Sequence, residues 1–218
     1  MKILALEFSS PQRSVAVSRA RHGAQVAEAV ETGGRETKAF GLIESALQQA
    51  QLEREQIECL AVGLGPGSYN GIRAAIALAQ GWQLAREIKL LGISSAECLA
   101  AEAQAQGLTG LVTVVIDAQR TEFYLSDYEI TARECRELKP LRLGSLADVQ
   151  AREGEGHSIL GPEVNQWFPA GRVIFPRAAM LARLAALRTD FVNGDKLIPI
   201  YLRETQFVKA PPPRKLPL

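Results

Sequence analysis

The segment that decides the fold runs from residue 60 to residue 73 and reads LAVGLGPGSYNGIR. Residues 60–64 form a short, wholly apolar run, which predicts a strand buried on both faces. The glycines that follow allow backbone conformations closed to other residues, and residues 72–85 then read as an alanine-rich helix. The segment therefore predicts a strand, a tight glycine loop and a helix whose amino terminus presents unpaired N–H groups.

Two interpretations of this loop remain open. It docks a phosphate or another stretch of backbone, or it is a tight turn that merely lets the helix pack on the sheet. Two familiar phosphate motifs are excluded, because no Gly-Lys-Ser/Thr ends the loop and Asn70 stands where a GxGxxG counted from Gly65 needs its last glycine. The residues assigned to the structure of the loop are Gly65, Pro66, Gly67, Gly71 and Arg73. We expect a positive φ at Gly67 or Gly71, and we expect Gly71→Val to cost about 1–3 kcal/mol.

Outward from this segment, the pattern predicts two halves with the same order of elements. In the first half, strands are predicted at 1–8, 14–18, 25–31, 60–64 and 90–93, and helices at 40–51, 72–85 and 94–105. The second half repeats this order in degraded form, with strands at 111–116, 122–126, 133–143 and 159–160 and helices at 145–152 and 176–188. The two halves share no residue-level repeat, so the prediction of a duplication depends on the order of the elements alone.

Two βββαβα halves that face each other predict an α/β protein of the actin, sugar-kinase and heat-shock ATPase architecture. The predicted fold class is two ribonuclease H-like/actin-like ATPase (ASKHA) subdomains, each a mixed five-stranded sheet flanked by helices. We place the boundary where the pattern breaks, with an amino-terminal subdomain at 1–106 and a carboxy-terminal subdomain at 107–218. The second subdomain includes a proline-rich tail around Pro211, Pro212 and Pro213.

Composition excludes several classes of function. The 218 residues carry 25 Lys and Arg against 24 Asp and Glu, a formal net charge of +1, so wholesale binding to a polyanion is not expected. Any contact with nucleic acid is then local or made through a companion subunit. No apolar run approaches about 18 residues, and the amino terminus lacks the charged head of a signal peptide, so we predict no membrane span and a cytoplasmic location.

The first hairpin carries the second candidate site. Glu7, Phe8, Ser9 and Ser10 follow the first predicted strand, and in an actin-like architecture this turn approaches the phosphates of a nucleotide. The weak candidates for nucleotide or phosphate binding are Ser9, Ser10, Gly65, Gly67 and Ser68. Phe8 is bulky where ATPases of that superfamily commonly carry glycine, so an ordinary hairpin with an acidic strand end remains the alternative.

Metal and nucleophile chemistry finds little support. His22 and His157 are the only histidines, no HxxxH or HExxH can be written from them, and we predict no metal site. No GxSxG nucleophile elbow exists, so we predict no catalytic residue. Cys59, Cys98 and Cys135 lack CxxC spacing and are expected to be reduced and mostly buried.

Two helices predict a surface for a partner. The helix at 72–85 is rich in alanine and apolar around much of its circumference, so another helix could approach it closely. The residues assigned to partner binding are Phe40, Ile43, Leu47, Ile72, Ala75, Ile76, Ala79 and Trp82. Ala75 and Ala79 are expected to point outward, and simple packing inside the domain is the alternative.

The segment at 60–73 resembles the signature of the bacterial TsaB (YeaZ) family, a variant of AVxxGPGSFTGLR. Other segments agree in order: KILAL at 2–6, DAQRTEFY at 117–124 where the family has DARRxEVY, and PIYLR at 199–203. The resemblance covers essentially the whole chain. Glu7 departs from the aspartate common at this point of the family, and Thr37 stands where many members have histidine-serine, which weakens any claim that the chain binds nucleotide alone.

The resemblance implies a non-catalytic subunit of the machinery that forms N6-threonylcarbamoyladenosine (t6A) beside the anticodon of tRNAs that read ANN codons. The implied partners are the paralogue TsaD, which transfers the threonylcarbamoyl group, the ATPase TsaE, and a second copy of the chain, with tRNA contacted indirectly. TsaD depends on a HxxxH metal site that this sequence lacks. We therefore expect no tightly bound cofactor, with ATP or ADP only in the complex. The alternative is an independent actin-fold ATPase or kinase.

Overall fold

The computed structural model describes residues 1–19, 26–33 and 38–202. The first half contains β1 (Lys2–Glu7), β2 (Gln12–Arg19), β3 (Val26–Thr32), α1 (Ala39–Ala50), β4 (Cys59–Gly63), α2 (Tyr69–Ala85), β5 (Lys89–Ile93) and α3 (Ser95–Ala105). The second half contains β6 (Gly110–Asp117), β7 (Glu122–Ile130), β8 (Cys135–Ser145), α4 (Leu146–Gly154), β9 (Ser158–Gly161), β10 (Arg172–Val173) and α5 (Ala178–Ala186). The predicted elements are present, and β10 is a strand that the sequence pattern did not predict.

Some predictions fall on residues that the structure does not describe. They are His22, Gln25, Thr37, the end of the PIYLR segment at Arg203, and the proline-rich tail. Among the residues that are described, no helix combines the length and apolar character needed to cross a membrane.

Both halves contain the same mixed sheet. The first has the strand order β3-β2-β1-β4-β5, and the second, taken in the same sense, has β8-β7-β6-β9-β10. In each half the first three strands form an antiparallel meander, and the last two run parallel to the first strand. The predicted duplication is therefore present in three dimensions.

Helices cover the two faces of the first sheet because its central strands are apolar on both sides. All five residues of β4 are buried, as expected for a strand inside a sandwiched sheet. Leu4, Leu6 and Val62 face α1 and α2 on one side. Ile3, Ala5 and Ala61 face the other side, where α5 supplies Leu181 and its neighbours to the core.

Helix α5 returns to the first sheet after the chain has completed the second. Its amino terminus is anchored by β2 and β3, because the Ala178 N–H donates to Ser14 Oγ at 2.8 Å and the Ala179 N–H donates to Glu28 Oε1 at 3.0 Å. Arg177 also pairs with Glu28. A division of the chain at residue 106 would separate α5 from the sheet on which it packs, so the boundaries 1–106 and 107–218 stay a prediction.

Candidate functional site

A cleft of about 1490 Å³ lies where the β1–β2 turn faces the β6–β7 turn. The two turns follow the carboxyl ends of the central strands β1 and β6, the position at which open α/β sheets commonly bind ligands. Four of the five predicted nucleotide candidates line it, namely Ser9, Ser10, Gly67 and Ser68. Gly65 is not among the lining residues. Instead its carbonyl accepts a hydrogen bond from the Ser95 N–H at 2.8 Å, at the start of α3.

The glycine loop docks against the backbone of the β1–β2 turn. The Ser68 N–H donates to the Ser9 carbonyl at 2.7 Å. A Cβ atom at Gly67, whose φ is +143°, would lie 2.1 Å from the Ser9 carbonyl oxygen. A Cβ atom at Gly71 would lie 2.0 Å from the Phe8 carbonyl oxygen. The predicted positive φ is thus confirmed at Gly67, while Gly71 is required by the close approach of two backbones.

Backbone N–H groups at the amino terminus of α2, which could otherwise bind an anion, already donate to the protein itself. Ser68 caps the helix, and its Oγ accepts from the Gly71 N–H at 3.3 Å. The Ile72 N–H donates to the Ser68 carbonyl at 3.0 Å. Of the two open interpretations, this geometry favours docking of backbone on backbone.

Glu7 ends β1 but is not among the residues that line the cleft. Its side chain is fully buried, with Oε1 accepting from the Ser9 N–H at 2.8 Å and Oε2 accepting from Ser95 Oγ at 3.0 Å. A Cβ atom at Gly63 would lie 2.1 Å from Oε2, so only glycine fits beside this carboxyl group. Burial raises the pKa of Glu7, against the opposing effect of the hydrogen bonds from Ser9 and Ser95.

We expect Glu7→Gln to remove a component of the pH dependence of stability. Between the ordinary pKa of 4.5 and the higher folded-state pKa, the folded chain holds a proton that the unfolded chain has released. The contribution of Glu7 to the free energy of unfolding of the wild type therefore falls as the pH rises above 4.5. The variant should match the wild type below that pH and gain relative stability above it, measured as thermal midpoints across pH.

The control for this experiment is Glu87→Gln, because Glu87 is an exposed carboxylate just beyond α2. Parallel pH profiles of the wild type and Glu7→Gln would contradict the expected result.

The β6–β7 turn forms part of the cleft, but the sequence pattern did not predict it as part of a functional site. Gln119, Arg120 and Thr121 have φ of 65°, 59° and 62°, a run of left-handed residues without glycine. Asp117 holds the turn, with its carboxylate accepting from the Gln119 N–H at 2.7 Å and from Gln119 Nε2 at 2.8 Å. Glu163 follows β9 on the same wall, and burial together with the nearby charge of Asp117 raises its pKa. The DAQR segment at 117–120 was the sequence signal available for this turn.

The carboxy-terminal segment completes the mouth of the cleft. It passes along α2, with the Gly194 N–H donating to Gln83 Oε1 at 2.7 Å and the Ile200 N–H donating to the Leu64 carbonyl at 2.9 Å. The Tyr201 ring then stacks on the Tyr69 ring with centroids 5.5 Å apart.

Arg73, which was assigned to the structure of the loop, contacts Tyr69 of this aromatic pair. Its Nη1 donates to the Tyr69 hydroxyl at 2.7 Å, and its guanidinium carbon lies 5.1 Å from the centroid of the Tyr69 ring. Pro66 is buried in the loop. The GPGSYNGIR and PIYL segments, more than 120 residues apart in sequence, therefore meet at one edge of the cleft.

Most residues assigned to partner binding lie in the core. Six of them are buried against the first sheet, namely Ile43, Leu47, Ile72, Ala75, Ile76 and Ala79. The prediction that Ala75 and Ala79 point outward is wrong, because their side of α2 packs on the sheet. Phe40 is 67% exposed and Trp82 is half-buried. The outward face of α2 carries Ala77 and Gly81, with Ala74 and Leu78 half-buried beside them.

Within residues 1–19, 26–33 and 38–202, no group of three or more His, Cys, Asp or Glu side chains is arranged to hold a metal ion. His157 lies beside the second sheet, where its Nδ1 is 2.9 Å from Thr113 Oγ1. The cysteines are free thiols, with Cys59 and Cys98 buried and Cys135 half-buried, as predicted. Burial raises the pKa of Cys59 to about 12.

Comparison with solved structures identifies the fold. The structure of YeaZ from Pseudomonas aeruginosa matches this fold with a TM-score of 0.78 at 24% sequence identity, covering 92% of this chain and 99% of that one. Together with the two matching sheets, this confirms the predicted fold of two mixed five-stranded sheets flanked by helices.

Comparison with family models gives the family. The model of TsaD: tRNA N6-adenosine threonylcarbamoyltransferase matches residues 36–194, and the chain belongs to this family. The tRNA threonylcarbamoyladenosine biosynthesis protein TsaB of Escherichia coli is 32% identical over 88 residues, 40% of this chain and 38% of that protein. Its namesake in Bacillus subtilis is 27% identical over 150 residues, 68% of this chain and 64% of that protein. The match thus spans less than two thirds of each relative, and the predicted resemblance to the TsaB (YeaZ) family is confirmed.

Proposed function

We propose that this chain is a non-catalytic subunit in the formation of t6A on tRNAs that read ANN codons. It pairs with TsaD, which transfers the threonylcarbamoyl group, and works with the ATPase TsaE in the cytoplasm. Contact with tRNA is then made through the complex. The names of the curated relatives, tRNA threonylcarbamoyladenosine biosynthesis protein TsaB, support this proposal.

The absence of catalysis is supported by the side chains available. The sequence has two histidines, at 22 and 157, and cannot form the HxxxH pair on which the TsaD metal site depends. The acid at the end of β1 is fully buried, hydrogen-bonded to Ser9 and Ser95, and is not among the residues that line the cleft.

The alternative, an independent actin-fold ATPase or kinase, needs a nucleotide in that cleft. Donors of the glycine loop are engaged by Ser9 and Ser68, and Phe8 fills the core at the hairpin. Nucleotide is therefore expected only in the complex. Calorimetric titration of the isolated chain with ATP and magnesium separates the hypotheses, since tight stoichiometric binding favours the kinase.

The observation that carries the proposal is the outer face of α1 and α2. Phe40 is 67% exposed on α1, and Leu84 is 90% exposed on the outward side of α2. Between the ends of α2 this side presents Ala77 and Gly81, where another helix can approach closely. A second copy and a paralogue of the same fold would compete for such a face.

We expect Ala77→Glu to weaken both the homodimer and the complex with TsaD by at least about tenfold, because an unpaired carboxylate would be buried in the interface. The fold should survive, because Ala77 is exposed in the free chain. The measurement is mass in solution by analytical ultracentrifugation, with and without TsaD from the same genome.

The matched control is Ala151→Glu, which places the same charge on an exposed alanine of α4 in the second half. Folded Ala77→Glu and Gly81→Glu variants that both keep wild-type assembly would show that the partner surface lies elsewhere.

A further inference from the structure

The cleft has an aromatic wall to which the proposed function gives no role. Tyr69 and Tyr201 stack on each other there, yet they remain 54% and 43% exposed. Tyr124, Pro11 and Pro162 extend this surface along the cleft. Exposed aromatic grooves of this kind bind extended proline-rich segments, whose rings pack on the aromatic faces at low entropic cost.

The charges along the cleft favour a cationic occupant. Asp117, Glu122 and Glu163 line it, against Arg13 and Arg120. A phosphate group placed there would face more carboxylates than guanidinium groups. Burial and the charge of Asp117 raise the pKa of Glu163, and a cation beside this pair would stabilise both carboxylates.

The chain itself carries a segment with both properties. Residues 210–215 read APPPRK, three prolines followed by two cations. Residues 203–218, which lie outside the described residues, contain four basic side chains and one acidic one. The remaining 202 residues contain 21 basic against 23 acidic side chains, so the tail and the body have opposite net charge.

We propose that residues 211–215 dock in the cleft of the same chain, with the prolines against Tyr69 and Tyr201 and the cations beside Asp117 and Glu163. Leu202, the last described residue, already lines the cleft. Eight residues separate it from Pro211, and a chain of that length has a root-mean-square span of roughly 15–18 Å and a maximum reach of about 30 Å. Such a short tether gives an effective concentration in the millimolar range, so even weak contacts suffice. The volume of about 1490 Å³ exceeds the roughly 300–1000 Å³ of small-ligand pockets and leaves room for several residues.

The docking is tested on the full chain by paramagnetic broadening. A spin label is attached at Leu216→Cys in a Cys135→Ser background, where the remaining cysteines are buried. We expect the amide resonances of Ala118 and Gly67, both in the cleft, to broaden, and the amide resonance of Ala185 in α5 to stay sharp. Substitution of Pro211, Pro213, Arg214 and Lys215 by serine keeps the length of the tail and should abolish the broadening.

A cleft variant and its control locate the contact. Glu163→Gln should weaken the broadening, and Glu153→Gln, on an exposed part of α4, should leave it unchanged. Broadening that is absent, or that survives the serine substitutions, overturns the proposal. Broadening seen only when a spin-labelled chain is mixed with a separate isotope-labelled copy overturns docking within one chain. Shifts of the cleft amides on addition of ATP and magnesium, without broadening by the tail, assign the cleft to nucleotide instead.

Discussion

Replacing Gly71 by alanine is expected to lower the thermal midpoint by about 6–12 °C, the equivalent of about 3 kcal/mol for a chain of this size. The added Cβ would lie 2.0 Å from the Phe8 carbonyl oxygen and 3.2 Å from Ser68 Oγ. Since the nearest atom belongs to the backbone of the β1–β2 turn, no side-chain rotation relieves the clash. The loop must separate from the turn, which also strains the hydrogen bond from the Ser68 N–H to the Ser9 carbonyl.

The control lies on the same helix. Gly81 is exposed on α2, and a Cβ atom added there would meet no other atom within 4 Å. Gly81→Ala should therefore raise stability by up to about 1 kcal/mol, because alanine favours the helix. Calorimetric midpoints of the two variants should move in opposite directions. Equal, small shifts would show that the glycine loop does not depend on this backbone contact.

The predictability of the first half has a physical basis. Residues 60–73 carry a buried strand, a turn and a helix in sequence-local signals, and the alternating strands before them leave few ways to pair. The close approach at Gly71 was predicted as a glycine requirement, though for a positive φ. The sequence motif identifies Gly71 as a required glycine. It does not reveal the reason, because the Phe8 carbonyl that lies against Gly71 is some 60 positions earlier in the chain.

The outward face of α2 could not be resolved in the same way. The run from Ala74 to Ala79 is apolar at every position, so periodicity does not distinguish the buried side from the exposed one. Only the contacts of Ala75 and Ala79 with the sheet decide between the sides. The position of α5 on the first sheet likewise depends on tertiary contacts, because Ser14 and Glu28, which accept hydrogen bonds from its first residues, lie 164 and 151 residues earlier in the chain.

The cleft was only half predicted for a related reason. Ser9, Ser10, Gly67 and Ser68 follow from motifs within the first half. Asp117, Glu163 and Tyr201 come from three segments that are far apart in sequence and meet only in the folded cleft. A polar side chain at a strand end is too common to indicate a site until its neighbours are known.

The second half contains a buried polar cluster that no motif indicated. Asp127 on β7 is 1% exposed, and its Oδ1 accepts from Thr113 Oγ1 on β6 at 2.9 Å. Its Oδ2 accepts from Arg142 Nη2 on β8 at 3.0 Å and lies 3.5 Å from Arg152 Nε on α4. One carboxylate thus links three strands to a helix. The sequence carried no signal for this cluster, because the predicted strand ended at residue 126 and β7 continues to Ile130.

Asp127→Ala is expected to cost about 3 kcal/mol, near the low end for breaking a buried ion pair, because the side chains of Arg142 and Arg152 are 33% and 20% exposed. Removing the carboxylate leaves two guanidinium groups and the Thr113 hydroxyl facing each other across the sheet. Asp127→Asn retains an acceptor for Thr113 but no charge, so it should fall between the wild type and alanine.

Glu129→Ala is the matched control on the same strand. Glu129 pairs with Arg136 at the surface, where both side chains are well exposed, and water replaces such a pair readily. Its midpoint should stay at the wild-type value while that of Asp127→Ala falls by about 6–12 °C. Equal midpoints for the two alanine variants would mean that solvent already screens the cluster. A fall in Asp127→Ala alone would show that the buried carboxylate, which contacts β6, β8 and α4, stabilises the fold well beyond what a surface ion pair on the same strand contributes.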